Sequence, residues 1–298
     1  VNFSFDKFDF VGQRKKFFAF SMAITIFGVL TLAIFGLNLG VDFSSGTTLD
    51  ITLKQSTTQA QATSLFAKAG LDPKQLTIGG SNEDRVSARF KETLSESEKN
   101  NVVNIFEAKF GKLSLEENTV DASIAREFAL KTILYVGIAA LGIIIYVAIR
   151  FEWRFAIAAI VALLHDAFIV ISLFSILRLE VNLPFVAAIL TIIGYSINDT
   201  IVIFDRIREN LKFAKVKTFQ DLYDVVNVSV RQTFLRSINT VFTVVLASVA
   251  LLIFGSPAIG LFSLAMLFGL VSGAYSSIFI ASPLWILLKT KSLNKVKE

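Results

Sequence analysis

The sequence predicts a polytopic α-helical membrane protein with six transmembrane helices and a polar α+β unit between the first and second. Three observations predict it. Hydrophobic residues make up 54% of the 298-residue chain and mean hydropathy is +0.64, too apolar for a soluble domain of this length. The apolar residues gather into six runs, each long enough for a bilayer that needs roughly 17–25 residues per helix. Lys and Arg collect at the ends of alternate runs, the pattern of the positive-inside rule.

The runs cover about 17–37, 130–149, 155–177, 183–204, 236–254 and 259–288. The first follows Lys7, Arg14, Lys15 and Lys16. It is too long for a signal peptide and lacks a small-residue cleavage site, so it reads as an uncleaved anchor with residues 1–16 in the cytoplasm. Arg150 and Arg154, the Arg206–Arg236 connection with Arg208, Lys212, Lys215, Lys217 and Arg231, and then Lys289, Lys291, Lys295 and Lys297 fall on that same side. Both termini are therefore expected in the cytoplasm, with 129–288 holding the remaining five spans and 289–298 a tail. The net charge of +5 is spent on orientation, and nucleic acid is not an expected partner. With no Cys and one His, neither disulfides nor a thiolate or multi-His metal site is available. No Gly-x-x-x-x-Gly-Lys-[Ser/Thr] run is present, so ATP is not used by that route.

Residues 38–128 form the polar insertion, expected on the outer face. Leu49–Lys54 alternates as a strand, Thr58–Ala69 reads as a helix ended by Gly70, and Gln75–Ile78 and Arg85–Phe90 read as two more strands. A helix over Ser95–Phe110, stopped by Gly111, and a last strand near Leu113–Val120 complete the order β-α-β-β-α-β. That order is the one found in ferredoxin-like sandwiches, where two helices cover one face of a sheet. No residue of the insertion looks catalytic, and the chain is not expected to be an enzyme.

The informative polar groups lie inside the membrane runs. At 100° per residue, Thr191, Tyr195, Asn198 and Asp199 share one arc of the fourth span, extended by Ser196 and Thr200. Lipid cannot satisfy them, so this face looks into the bundle. In the fifth span Arg236, Asn239, Thr240 and Thr243 share a similar arc, and the two helices run antiparallel, which makes an Asp199–Arg236 pairing sensible. The third span adds His165 and Asp166, a candidate relay and its neighbour. Gly194 and the pair Gly269-xxx-Gly273 are candidates for close helix packing. An intramembrane carboxylate marks an ion path by default, but Asp199 also fits a static polar clamp, and both readings stay open.

These residues carry a resemblance. Gly194-Tyr195-Ser196-Ile197-Asn198-Asp199-Thr200, followed by Phe204-Asp205-Arg206-Ile207-Arg208-Glu209-Asn210, is similar to the fourth-span motif of the SecD/SecF family of bacterial protein-export membrane proteins. The segments Leu37–Thr47, Leu164-His165-Asp166 and Gly273–Pro283 resemble that family's elements after the first span, in the third span and in the last. Two positions depart from the pattern: Ser45 stands where a second Gly is expected, and Ala274 where Thr is common.

The resemblance implies a subunit of the SecF type that works with SecD beside the SecY-E-G channel in the bacterial inner membrane. It would promote late stages of the export of preproteins using the proton motive force. By the same resemblance, whose six-span halves are like those of resistance-nodulation-division transporters, Asp199 would be the ion-path carboxylate and Arg236 its linked cation. His165 and Asp166 are secondary candidates, and the insertion would be a periplasmic module. Protons, or alternatively sodium, would be the coupling ion, with no cofactor. A passive assembly scaffold and half of an efflux-type transporter are the competing functions.

Overall fold

The computed structural model describes residues 9–80, 82–216 and 218–295. Lys7, Lys217 and Lys297, counted above toward orientation, lie outside the described residues, as do the side chains of Lys291 and Lys295. In chain order the elements are α1 (Arg14–Phe35), β1 (Asn38–Leu39), α2 (Val41–Ser44), β2 (Gly46–Thr52), α3 (Gln59–Lys68), β3 (Gln75–Gly79), β4 (Arg85–Phe90), α4 (Glu96–Phe110) and β5 (Ser114–Val120). There follow α5 (Ala122–Arg150), α6 (Trp153–Ile176), β6 (Glu180–Val181), α7 (Leu183–Phe213), α8 (Phe219–Phe254), α9 (Pro257–Ser276), a π-helical turn (Ser277–Ala281) and α10 (Ser282–Lys295). Among the described residues six helical stretches are long and apolar enough to cross a membrane: α1, α5, α6, α7, α8, and Ile259–Thr290 across α9, the π turn and α10.

The insertion folds as one antiparallel sheet in the order β3-β4-β2-β5. Alternation along β2 sends Leu49 and Ile51 to one face, where they join Val86, Ala88 and Phe90 of β4 beneath Ala62, Leu65 and Phe66 of α3 and Val102 and Phe106 of α4. Both helices thus cover the same face. Each starts at a hydroxyl cap: Thr58 accepts from the Gln61 N–H, and Ser95 forms a reciprocal box with Glu98. The opposite sheet face carries Thr48, Asp50, Arg85, Ser87 and Arg89, and it looks onto the connections of the helical bundle.

Two connections hold the unit in place. β1 pairs parallel with β6, Asn38 opposite Glu180 and Leu39 opposite Val181. The Gly40 N–H donates to the Val181 carbonyl at 2.7 Å. Arg178 then reaches back and donates to the Phe35 carbonyl at 2.6 Å, capping the C-terminus of α1 with a cation. These contacts place the α1 end and the α6–α7 turn at one end of the bundle. At the other end Arg150 meets Asp205 at 3.2 Å, and the Phe10 and Val11 N–H groups both donate to Asn227 Oδ1, at 3.0 and 3.2 Å.

Within the bundle α9 packs among α6, α7 and α8. One apolar cluster, nearer the capped end, joins Val170 and Phe174 to Phe185, Ile192 and Leu270. A second joins Phe155, Phe204 and Trp285, with the Phe155 and Trp285 rings stacked at 4.5 Å. By contrast, α5 buries only Ala125 and Val147, and Phe242, Leu246 and Phe254 of α8 are exposed, as expected of surfaces that meet lipid or another chain.

Several elements differ from the sequence expectation. The fourth span's charged end, Asp205–Glu209, is helical as its i,i+3 spacing implies, but the helix runs on to Phe213 and the connection is helical again from Phe219, because Ile207, Leu222, Val226 and Val230 bury into the core. An i,i+3 pair, Arg206–Glu209 at 2.9 Å, and a Thr218–Asp221 capping box support those helical ends. β2 begins at Gly46 instead of Leu49, since Thr47 and Thr48 already pair with Phe90 and Arg89. The two-residue strands β1 and β6, the short α2 and the π turn carry no periodicity long enough to read.

Candidate functional site

α7 is set by its N-terminus. Asn182 accepts from the Phe185 N–H at 3.0 Å, and Pro184 sits in the first turn, where its missing N–H costs nothing. That start fixes the rotation of the polar stripe, and Tyr195, Ser196, Asn198 and Asp199 open onto a cavity of about 50 Å³. Arg236 and Thr240 of α8 line it from one side, Gly269 and Gly273 of α9 from another. Ile192, Val202, Val241 and Leu270 complete a lining that is more apolar than polar, and the polar groups that converge on it suit an ordered water.

Asp199 and Arg236 therefore face one cavity from neighbouring helices. They do not form the direct pair expected from the sequence: among the described residues no ion pair within 4.0 Å joins them, and Asp199 Oδ2 is buried without a hydrogen-bond partner. The reason is that Arg236 lies on the exposed side of α8 while Asp199 is half-buried on α7.

The glycines divide. A Cβ at Gly269 would sit 2.4 Å from the Ile192 side chain, and one at Gly273 would sit 3.2 Å from Ser196 Cβ, so α9 approaches α7 closely at both. Gly194, expected to pack likewise, has nothing within 4 Å. It lies about 200° around α7 from both Ile192 and Ser196, the residues that meet α9.

Asp166 is fully buried in α6 and surrounded by hydroxyls. Ser196 and Ser276 donate to its Oδ2, both at 2.6 Å, and Ser272 donates to its Oδ1 at 2.7 Å. His165 Nδ1 lies 3.3 Å from the same Oδ1. One carboxylate thus ties α6 to α7 and α9. Ser196 also lines the Asp199 cavity, which leaves Asp166 one hydroxyl away from it. His165 is absent from that lining. Its ring lies 6.1 Å from Tyr275, and its Nε2 is buried without a partner.

The hydroxyl cage is the feature that sequence reasoning missed. Ser272 and Ser276 stand four apart in the last span, on one helix face, and that spacing was the available signal. Next to them the π turn brings Ser277 against Thr200 at 2.8 Å, while Ser282 donates to the Ser277 carbonyl at 3.0 Å, five residues back. π turns inside α-helices are frequent at functional sites.

Comparisons with known proteins agree along the whole chain. Residues 99–291 match the family described as protein export membrane protein SecD/SecF, C-terminal, and residues 31–57 match the SecD/SecF GG motif. The chain is 48% identical over 296 residues to the protein translocase subunit SecDF of Bacillus subtilis, covering 98% of this chain and 39% of that one. It is 47% identical to the protein translocase subunit SecF of Alicyclobacillus acidocaldarius, covering 97% of this chain and 95% of that one. The crystal structure of SecDF from Thermus thermophilus, a translocon-associated membrane protein, superimposes with a TM-score of 0.82 at 31% identity, over 95% of this chain and 38% of that one. The chain thus spans about two-fifths of the SecDF proteins and nearly all of a SecF.

Proposed function

The chain belongs to the SecD/SecF family of protein-export membrane proteins, and on that premise we propose that it is a proton-driven accessory subunit of the Sec translocase, of the SecF type, in the bacterial inner membrane. It works with a SecD partner beside the SecY-E-G channel on preproteins in late stages of export. It makes and breaks no covalent bond. The termini are cytoplasmic, and the α+β unit is a periplasmic module whose strand order is that of a ferredoxin-like sandwich.

The observation that carries this reading is the shared cavity of Asp199 and Arg236. A buried carboxylate oxygen with no partner, on a cavity that it shares with a guanidinium inside a bundle, is a group able to take up and release a proton. Protonation removes the charge that attracts Arg236, and release restores it, so α7 and α8 have two relative arrangements. One elementary charge crossing 100 mV supplies about 2.3 kcal/mol, enough to shift a two-state bundle severalfold. Sodium is the alternative ion for the same carboxylate. Asp166 and His165 play the lesser part: the cage fixes α6, α7 and α9 around the cavity. A SecD-type partner is supported by α8 itself, where Arg236 and Asn239 are exposed at membrane depth and lipid cannot satisfy them, whereas the Thr240 and Thr243 hydroxyls donate back to the Arg236 and Thr240 carbonyls.

A mutant cycle tests the pair as a unit. Asp199→Asn and Arg236→Ala should each impair gradient-dependent export, and the double variant should be no worse than the more impaired single one. Additive losses would separate the two residues, and an unaffected Arg236→Ala would remove it from the path.

A further inference from the structure

The two helices that carry Asp199 and Arg236 are held by the outer unit in different ways. α7 is seated firmly. The Leu183 N–H in its first turn donates to Asp42 Oδ2 at 2.9 Å, while Asn118 of β5 donates to Asp42 Oδ1 at 2.9 Å. The β1–β6 pairing, immediately before α7, adds a backbone connection at the same place. The C-terminal end of α8 has a different seat. Arg85 of β4 donates through Nη1 to the Gly255 carbonyl and through Nη2 to the Phe254 carbonyl, the latter at 3.4 Å. Carbonyls at a helix C-terminus lack intrahelical partners, and a guanidinium fork answers both their hydrogen bonding and the dipole. Around this contact the sheet and the bundle are parted by a crevice of about 270 Å³, lined by Ser87 and Arg89 above and Leu252, Leu261 and Leu264 below. Arg85 reaches across a gap, not through a packed interface.

We propose that Arg85 is the transmission contact that converts movement of α8 relative to α7 into movement of the periplasmic unit. This rests on the proton-driven reading above. Arg236 and Phe254 are joined by about 27 Å of helix at 1.5 Å per residue, so a shift of α8 near the cavity arrives at its C-terminus as a shift of the same rigid rod. The unit is pinned to α7, so the relative displacement appears at the α8 seat. There, among the described residues, the hydrogen bonds across the gap come from one side chain, and the crevice leaves room for it to move. Arg85 is a positioning residue: it touches neither the ion nor the cavity.

The chain has no Cys, which allows a clean test in cells, in the full chain with its SecD-type partner. Arg85→Ala should lower gradient-dependent export of a signal-sequence-bearing reporter at least fivefold, with accumulation, partner association and gradient-independent export unchanged. Arg85→Cys with Ser256→Cys should show the same loss, and bridging the two thiols with a short bismaleimide should restore export to within twofold of wild type. Ser256→Cys alone should export normally. A loss below fivefold in Arg85→Ala, or a bridged pair that exports no better than the unbridged one, overturns the proposal; the bridged pair decides the matter if Arg85→Ala fails to accumulate. Asp199→Asn measured alongside separates the two levels. If it loses export while Arg85→Ala keeps it, only the transmission contact is wrong; if Asp199→Asn exports normally, the proton-driven reading itself fails.

Discussion

Asp42 and Leu183 are joined by a hydrogen bond: Asp42 Oδ2 accepts from the Leu183 N–H at 2.9 Å, so a carboxylate placed just after the first span caps the helix that carries Asp199. The other oxygen accepts from Asn118 of the sheet, and the side chain is 5% exposed, so one residue joins linker, sheet and α7. Removing it strands the Asn118 amide and an N–H in the first turn of α7. Asp42→Ala should therefore cost about 1–3 kcal/mol, read as a lowered melting temperature of the detergent-purified chain. An unchanged melt would show that the cap is replaced by water.

Ser45 makes the opposite prediction. Its backbone has φ 60 and ψ 167, a region occupied almost only by glycine and costing about 1–3 kcal/mol for other residues. Ser45→Gly should raise stability by about 1–2 kcal/mol, since the strain relieved exceeds the extra freedom given to the unfolded chain. A lower melting temperature would contradict it. The neighbouring Gly46 tolerates no such exchange, because a Cβ there would sit 2.2 Å from the Phe90 carbonyl.

Asp50 gives a pH dependence. It sits on the sheet face turned toward the bundle, with Oδ1 buried and unpartnered, and burial pushes its pKa above the ordinary carboxylate value despite the opposing Ser87 hydroxyl; Glu116 adds to the rise. A raised folded value means that the folded chain holds the proton longer than the unfolded one. The stability this group contributes is then present below its unfolded pKa and lost as pH rises through the folded value. Asp50→Asn should melt higher than wild type at pH 8, and the gap should close as the pH falls toward 4. A gap independent of pH would remove the carboxylate as its cause.

The Asp166 cage predicts failure by misfolding. Asp166→Ala leaves the buried Ser196 and Ser272 hydroxyls without an acceptor, each worth about 1–3 kcal/mol, and Ser276 with only the Gly273 carbonyl at 3.3 Å, and should prevent accumulation. Ser276→Ala, which loses one donor and keeps the rest, should accumulate with a melting temperature lowered by the equivalent of about 1 kcal/mol. If Asp166→Ala accumulated normally and lost only export, the carboxylate would belong to the ion path and not to the frame.

The elements that were legible in the sequence are those with a long period or a long run. Six apolar segments each exceed what a soluble helix needs, and the alternation of Leu49 and Ile51 marks a strand on its own. The facing of Tyr195, Asn198 and Asp199 follows from helical geometry alone, and all three line the cavity. What escaped depends on neighbours brought from elsewhere in the chain. No local pattern says that Ser196, Ser272 and Ser276 converge on Asp166, that Arg85 meets the end of α8, or that Gly194 faces away from α9 while Gly269 faces α7. The charges Asp205, Arg206, Arg208 and Glu209 were legible as the solvated end of the fourth span by their i,i+3 spacing, whereas the helical start before the fifth was hidden, because its charges mask the apolar positions Leu222 and Val226 that bury it.

The central claim is that Asp199 titrates as part of the work cycle, and Asp199→Asn tests it most directly, because it keeps shape and hydrogen-bonding capacity and abolishes the charge. Export of a signal-sequence-bearing reporter is to be measured with the transmembrane gradient intact and again with it collapsed by an ionophore, in cells holding equal amounts of wild-type or variant chain. The proton-driven account predicts that wild type loses its stimulation when the gradient collapses, and that Asp199→Asn exports at that collapsed level under both conditions, with accumulation and partner association unchanged. If Asp199→Asn exports as well as wild type with the gradient intact, the carboxylate is a structural clamp and the account is wrong.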